Sequence, residues 1–411
     1  MTYNQILTGG NRYSNQLIIK NIDVEKNRII YKYTVRGEWR IFFNLDAEFF
    51  IEYNEDISAV PESIAVIPLI CNVLPMAWVT NAEIVVPELD KDFYDNVENI
   101  KAGYQNMFPN INFQGKLTVK KLIDNPNTGN KAAAFFSGGV DSFATLISHA
   151  KEHPTLVTLW GSDIKLSDFE GWRRVKNHAK ETAQQFHCDN LFIKSSFRQF
   201  LHEGNLTQLV WDKSRDGWWH GFQHGIGIIS HVAPLAYLRG FSKVYFASSY
   251  TEDLKGNYTC ASDPTIDNHL HIGKCVAIHD GYELNRQDKI RLICQYSHLE
   301  GIPINLRVCW ESAGGRNCCA CEKCYRTIFA ILAEGEAPED FGFQYSLQII
   351  EKMRKDFHSF TFLNKLNLYL WVPALEQIKK HPENLKKNPR WTVDLDFSKL
   401  YELYSKYLEQ R

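Results

Sequence analysis

The chain carries no strong charge of either sign: 46 Lys and Arg stand against 48 Asp and Glu, a formal net charge of −2. No global field therefore favours nucleic acid or an anionic membrane surface. Long apolar runs are also missing. The uncharged stretch between Glu62 and Glu83 is broken by Pro68, Asn72 and Pro75, whereas a membrane helix needs about 20 consecutive, predominantly apolar residues; buried strands are expected there. The opening MTYNQILTGGNRYSNQ lacks a basic segment followed by an apolar run. It does not read as a secretory leader, so a cytoplasmic chain starting at Met1 is expected. Internal repeats and low-complexity segments are absent too, which excludes collagen-like, repeat and disordered classes.

What is present is ordinary globular material in quantity. The 411 residues, 44% hydrophobic and 23% charged, exceed the ~150 residues of a usual single domain, so at least two domains are expected. Residues 1–128 read as a mostly β domain. Short runs rich in Ile, Val, Phe and Tyr predict strands at Gln16–Lys20, Arg28–Val35, Glu38–Asn44, Glu48–Tyr53 and Ala82–Pro87, with one amphipathic helix over Asp92–Met107. Its 12 Lys and Arg against 16 Asp and Glu up to residue 130 argue against an RNA-gripping module and for a partner- or substrate-binding one.

Asn125-Pro-Asn-Thr-Gly-Asn130 is a run of turn formers and marks a boundary. Residues 131–335 then alternate strand-like runs (Ala132–Phe136, Thr155–Trp160, Leu191–Lys194, Val244–Ser248, Val276–His279) with helical ones (Ser142–His149, Trp172–Phe186, Ile226–Arg239, Gln287–His298). This predicts an α/β fold, a doubly wound parallel sheet with helices on both faces. Residues 336–411 read as a helical C-terminal extension, with helices near Leu347–Asp356 and Phe397–Leu408 and a solvated basic face at Lys379–Arg390.

Within the α/β segment, an apolar strand runs into Ser137-Gly138-Gly139-Val140-Asp141-Ser142 and then a helix. Glycines allow a tight turn and close approach to a ligand, and free N–H groups at a helix start attract a phosphate. The Ser137 and Ser142 hydroxyls add donors, and Asp141 beside a polyphosphate makes sense if Mg²⁺ bridges the two. A glycine turn with a capped helix is the plainer alternative.

Ten cysteines in a chain without a leader should stay reduced, and five of them fall within sixteen residues, Cys309 to Cys324. Cys309, Cys318, Cys321 and Cys324 have the spacing C-x8-C-x2-C-x2-C, which suits a closed tetrahedral Zn²⁺ site and leaves Cys319 spare. Two disulfides are disfavoured by compartment. An iron–sulfur run expects a further cysteine at 328, which is Ile328.

The six-residue string in its strand–loop–helix setting resembles the signature of the PP-loop ATP pyrophosphatases, enzymes of adenine nucleotide alpha hydrolase-like fold that cleave ATP to AMP and pyrophosphate while adenylating an oxygen of the substrate. The resemblance implies ATP on Ser137, Gly138, Gly139, Val140, Asp141 and Ser142, with Trp160 and Gly161 against adenine and ribose; an aromatic packed at a strand end is the alternative for Trp160. Together with the cysteine spacing, the string is similar to that of the 7-cyano-7-deazaguanine synthases of the queuosine pathway, which convert 7-carboxy-7-deazaguanine and ammonia into an amide and then a nitrile. Asn285-Arg286-Gln287-Asp288-Lys289-Ile290 resembles that family's Lys-containing helix start, with Arg286 where Lys is usual, and Tyr250-Thr-Glu-Asp253-Leu-Lys-Gly-Asn-Tyr258 resembles its substrate loop.

The resemblance covers about residues 131–330. Stand-alone synthases of the family lack most of what lies on either side. Where they carry an Arg-Asn pair, this chain has Gly217-Trp218-Trp219-His220-Gly-Phe-Gln-His224. His220 and His224 share a face if that stretch is helical and could meet a carboxylate or move protons, and Trp219 could stack on a purine-like base; packing roles are the alternative. Ser137, Asp141 and Arg286 are thus expected to serve catalysis, and Trp219, His220, His224 and Asp253 the substrate. A pairing of Cys260 or Cys275 with a histidine stays open.

The expected function is an ATP-dependent carbon–nitrogen ligase acting on a 7-deazaguanine carboxylate. The amine is ammonia or, as enlarged relatives in bacterial anti-phage clusters suggest, a protein amine. An RNA-modifying PP-loop enzyme and a non-catalytic nucleotide-binding scaffold are the alternatives. A protein partner through the first 128 residues is expected, nucleic acid and membrane are not, and the composition leaves an oligomer open.

Overall fold

The computed structural model describes residues 15–126, 129–256, 258–309, 314–359, 368–392 and 398–409. Asn257 of the expected substrate loop, residues 310–313 within the cysteine spacing and the opening segment lie outside them. The β-branched and aromatic runs become eleven strands: β1 (Gln16–Val24), β2 (Arg28–Arg36), β3 (Phe50–Tyr53), β4 (Glu83–Asp90), β5 (Lys116–Ile123), β6 (Lys131–Phe135), β7 (Thr155–Trp160), β8 (Asn190–Ser195), β9 (Phe241–Ala247), β10 (His271–Ile272) and β11 (Cys275–Asp280). They form one sheet in the order β10-β11-β9-β6-β7-β8-β3-β2-β1-β4-β5. β11, β9, β6, β7 and β8 run parallel, as do β1, β4 and β5. The chain is an α/β protein built on a mostly parallel sheet.

The principal helices are α1 (Ile67–Val79), α2 (Lys91–Met107), α3 (Val140–Ser148), α4 (Phe169–Gln185), α5 (Glu203–Ser214), α6 (Ala233–Arg239), α7 (Arg286–Glu300), α8 (Glu322–Ala333), α9 (Leu347–Ser359), α10 (Val372–Lys380) and α11 (Ser398–Glu409). Side chains alternate across the strands. Ala133 and Phe135 of β6 join a core with α1, α2 and α6, whereas Ala132, Ala134 and Phe136 join a second core with α3, α4, α7 and α8. Helices thus cover both faces. Among the described residues no helix is long and apolar enough to cross a membrane.

The boundary expected at 125–130 does not separate two sheets. β3 hydrogen-bonds antiparallel to β8, with Ile51 opposite Ser195 and Tyr53 opposite Ile193. Tyr53 donates from its hydroxyl to His231 O at 3.0 Å and Tyr104 to Phe222 O at 2.8 Å, both buried. Residues 15–126 therefore extend the parallel sheet and share its core, and they are as much helical as β.

The stretch expected to form buried strands after Glu62 is mostly helix α1, with all thirteen of its residues buried. A helix covered on every side has no polar stripe, so its sequence lacks the 3.6-residue period that would betray it. Pro68 sits in the first turn, where its missing N–H costs nothing. Asn72 is satisfied by accepting from Gln223 Nε2 at 2.8 Å and donating to Gly227 O at 3.2 Å. Glu38–Asn44, expected as a strand, is largely a 3₁₀ helix, because Gly37 at φ 71° turns the chain out of the extended region. The helix expected over Ile226–Arg239 is three short pieces, the last of them α6.

Candidate nucleotide site and metal centre

The parallel strands set up a crevice. From β6 the chain steps to β7 and β8 on one side, then returns past them to β9 on the other. After β6 it enters α3 on one face; after β9 it runs to Ile266 and Leu270, packed in the core of the opposite face. Connections that diverge in this way leave a cleft at the carboxyl ends of the strands, the usual ligand position in open α/β sheets.

Ser137–Ser142 lies there. Gly138 has φ 78°, and a Cβ on it would stand 2.6 Å from His178 Cε1. His178, on α4, is held by donating from Nε2 to Asn305 O at 2.6 Å. Gly139 caps α3 with no side-chain bond to the helix start, and Ser142 Oγ donates to Gly139 O at 3.1 Å. The two hydroxyls meet at 3.3 Å, while Val140 turns inward and is buried. Arg307 clamps the loop from outside, donating Nη2 to Ser137 O at 2.7 Å and its backbone N–H to Gly138 O at 2.7 Å. The cradle requires glycine and presents backbone N–H groups at a helix start, which suits a phosphate.

Asp141 faces cations. Lys289 Nζ is 3.2 Å from Oδ1 and Arg286 Nη1 is 3.5 Å from Oδ2. Burial would raise this carboxyl, but Lys289, Arg286 and Lys323 together hold it at about 2. Arg286 is itself drawn down to about 10, first by burial and then by the neighbouring Arg326 charge, and its Nε is buried without a hydrogen-bond partner among the described residues. An anion would relieve that crowding. The sequence pointed to Arg286 and passed over Lys289, although three residues later on a helix is the same face. Lys323, between two expected metal ligands, and Arg307 carried no comparable signal.

Trp160 packs at the end of β7. It is buried, stacked on Trp172 at 5.2 Å, and donates from Nε1 to Lys165 O at 3.0 Å. Gly161, at φ 112°, approaches Ser195 O so closely that a Cβ would lie 2.0 Å from it.

Trp219–Gln223 forms a π-helical turn, with His224 N donating to Trp219 O at 2.8 Å. The Arg198 guanidinium lies 3.9 Å over the Trp219 ring. His220 Nδ1 is 2.9 Å from Asp216 Oδ2, and its Nε2 is 3.2 Å from Tyr250 OH. His220 lies within this turn and His224 just after it, and both imidazoles act electrostatically on Cys260. Asp253 sits exposed on the turn Glu252–Leu254, hydrogen-bonded by the Thr251 hydroxyl. Tyr369 from the C-terminal extension stacks on Tyr258 at 3.7 Å, so that extension covers the loop after β9.

The Sγ atoms of Cys309, Cys318, Cys321 and Cys324 all lie within 4.8 Å of one another, with Cys309 to Cys321 at 3.8 Å and Cys318 to Cys324 at 3.9 Å. Four thiolates around Zn²⁺ at about 2.3 Å stand about 3.8 Å apart, so the set fits the metal. Asn317 Oδ1 accepts from Val308 N at 2.9 Å and Cys309 N at 3.3 Å, and Ala320 N donates to Cys318 Sγ at 3.4 Å. Cys319, at φ 55°, turns away and accepts from Gln344 N at 3.3 Å. This is the one group of three or more metal-donor side chains among the described residues. Mg²⁺ would arrive with a polyphosphate and need only one carboxylate, which Asp141 offers. Compared with known proteins, the chain matches no family model and no curated protein.

Proposed function

We propose that the chain is an ATP-dependent ligase that adenylates the carboxylate of a 7-deazaguanine-type substrate and joins it to an amine, releasing AMP and pyrophosphate. The observation that carries this reading is the pairing of a glycine-demanding anion cradle at Gly138–Gly139 with an ionised Asp141 framed by Lys289 and Arg286, in the crevice between β6 and β9.

In this reading the loop N–H groups and the Ser137 and Ser142 hydroxyls hold the polyphosphate, Arg286 and Lys289 neutralise charge building on the α-phosphate and the departing pyrophosphate, and Asp141 orients the two cations. Positioning and charge neutralisation supply the rate, so no base is needed for a carboxylate nucleophile. Zn²⁺, when bound to the four thiolates, supplies a structural tie. Its ligand Cys321 caps α8, the helix that carries Lys323 and Arg326. The amine is ammonia if the product is an amide or nitrile, and a protein amine if the product is an adduct; intact-mass measurement of partner proteins separates the two.

The test is exchange of labelled pyrophosphate into ATP. It should depend on added 7-carboxy-7-deazaguanine. Release of ADP and orthophosphate instead would overturn the reading.

A further inference from the structure

We propose that Cys260 carries the activated acyl group as a thioester between adenylation and amine transfer, with His220 and Asp216 as its base and orienting acid. This rests on the adenylating reading above.

The geometry is that of a built nucleophile site. Asp216 takes Nδ1 of His220 at 2.9 Å, and both imidazoles draw the Cys260 thiol towards its thiolate. The backbone on both sides of Cys260 is tied to the same turn: Thr259 Oγ1 donates to Asp216 Oδ2 at 2.6 Å, and Ala261 N donates to His220 O at 2.8 Å. Gly225, at φ 76°, lets the chain after His224 close in, since a Cβ there would lie 2.6 Å from Ala261 O. The π-helical turn that carries His220 and ends at His224 is a feature frequent at functional sites. Nucleophile, base and orienting carboxylate are the elements of covalent acyl transfer.

The charge state agrees. Burial pushes the Cys275 thiol up to about 12. Cys260 is buried too, yet His220 and His224 outweigh burial and bring it to about 6, while Asp216 and Cys260 carry His220 to about 10 against its own desolvation. The turn adjoins the nucleotide crevice: Tyr250, whose hydroxyl is 3.2 Å from His220 Nε2, accepts on its carbonyl from Ser248 Oγ at 2.5 Å, and Ser248 O in turn accepts from Lys289 Nζ.

The thiolate attacks the carbonyl carbon of the acyl-adenylate. A C–S bond forms, the C–O bond to phosphate breaks, AMP leaves with the electron pair, and the thiol proton resides on His220. The amine then attacks the thioester; C–N forms, C–S breaks, the thiolate recovers its electron pair, and the proton shed by the amine passes to His224 and solvent.

The full chain is incubated with ATP and 7-carboxy-7-deazaguanine without amine, quenched in acid, and mapped by peptide mass. The expected result is one acyl group on Cys260, discharged by hydroxylamine. Cys260→Ala should abolish the adduct and lower amide formation about 100-fold. Pyrophosphate exchange without an adduct at Cys260, or full amide yield from Cys260→Ala, overturns the relay alone. An enzyme with no exchange overturns the adenylating reading and the relay with it.

Discussion

Lys289 Nζ stands 3.2 Å from Asp141 Oδ1 while donating to Ser248 O, so one buried ammonium joins the loop after β6 to the end of β9. The two walls of the crevice are held in register by a charge that the ligand's phosphates would also use.

Asp141 should leave a signature in acid stability. Its ordinary value of 3.8 would be raised by burial, but Lys289 and Arg286 bring it to about 2. A carboxyl depressed in the folded state contributes stability that is complete above its unfolded value and lost as pH falls through the folded one. The difference corresponds to about 2 kcal/mol. Urea unfolding followed from about pH 4 down to pH 2 should therefore fall less steeply in Asp141→Asn than in the parent. Equal slopes would remove the ion pair from the account.

Gly138→Ala puts a Cβ 2.6 Å from His178 in a left-handed backbone position. It should destabilise the chain by about 1–3 kcal/mol and weaken ATP-analogue binding measured by calorimetry. Gly204, on α5, has an ordinary φ, and a methyl group placed on it would meet nothing within 4 Å; Gly204→Ala should be neutral or stabilise by up to ~1 kcal/mol. Similar losses in both variants would mean that the loop conformation is not what matters.

Metal analysis should find one zinc per chain. Chelation or Cys324→Ser should release it and lower thermal stability, by about 4 kcal/mol where free zinc had been a thousandfold above its Kd. Cys319→Ser should retain full zinc, because its thiol points to Asn317 O and Gln344 N rather than to the other four. Loss of zinc in Cys319→Ser would reassign the ligands.

A fragment of residues 131–335 should not behave as an independent domain. Removing β3 uncovers the β8 edge, and with α1 and α2 gone, the core face carrying Phe197, Trp218 and Phe222 loses its cover. Light scattering should show aggregation of the fragment and a monodisperse full chain; a soluble, cooperatively folding fragment would contradict this.

Local order determined what could be read without coordinates. β7 runs from Thr155 to Trp160, the limits its apolar run predicted, and Ser137–Ser142 joins a strand to a helix because glycine freedom and helix capping act over a few residues. The four cysteines are brought together largely by a short, turn-rich segment, so their spacing alone announced the cluster. Other features depend on distance along the chain. Helix α1 gave no period because every side of it is covered. The Asp141–Lys289 pair spans 148 positions, Asp216 and Thr259 are 43 apart, and β3 reaches β8 across more than a hundred residues. By itself the sequence determined the loop, the thiolate spacing and most strands, which short-range geometry dictates. The tertiary structure alone decided which cations face Asp141, which histidines act on Cys260 and that the first strands continue the same sheet, because burial and Coulomb forces act between groups the chain brings together only on folding.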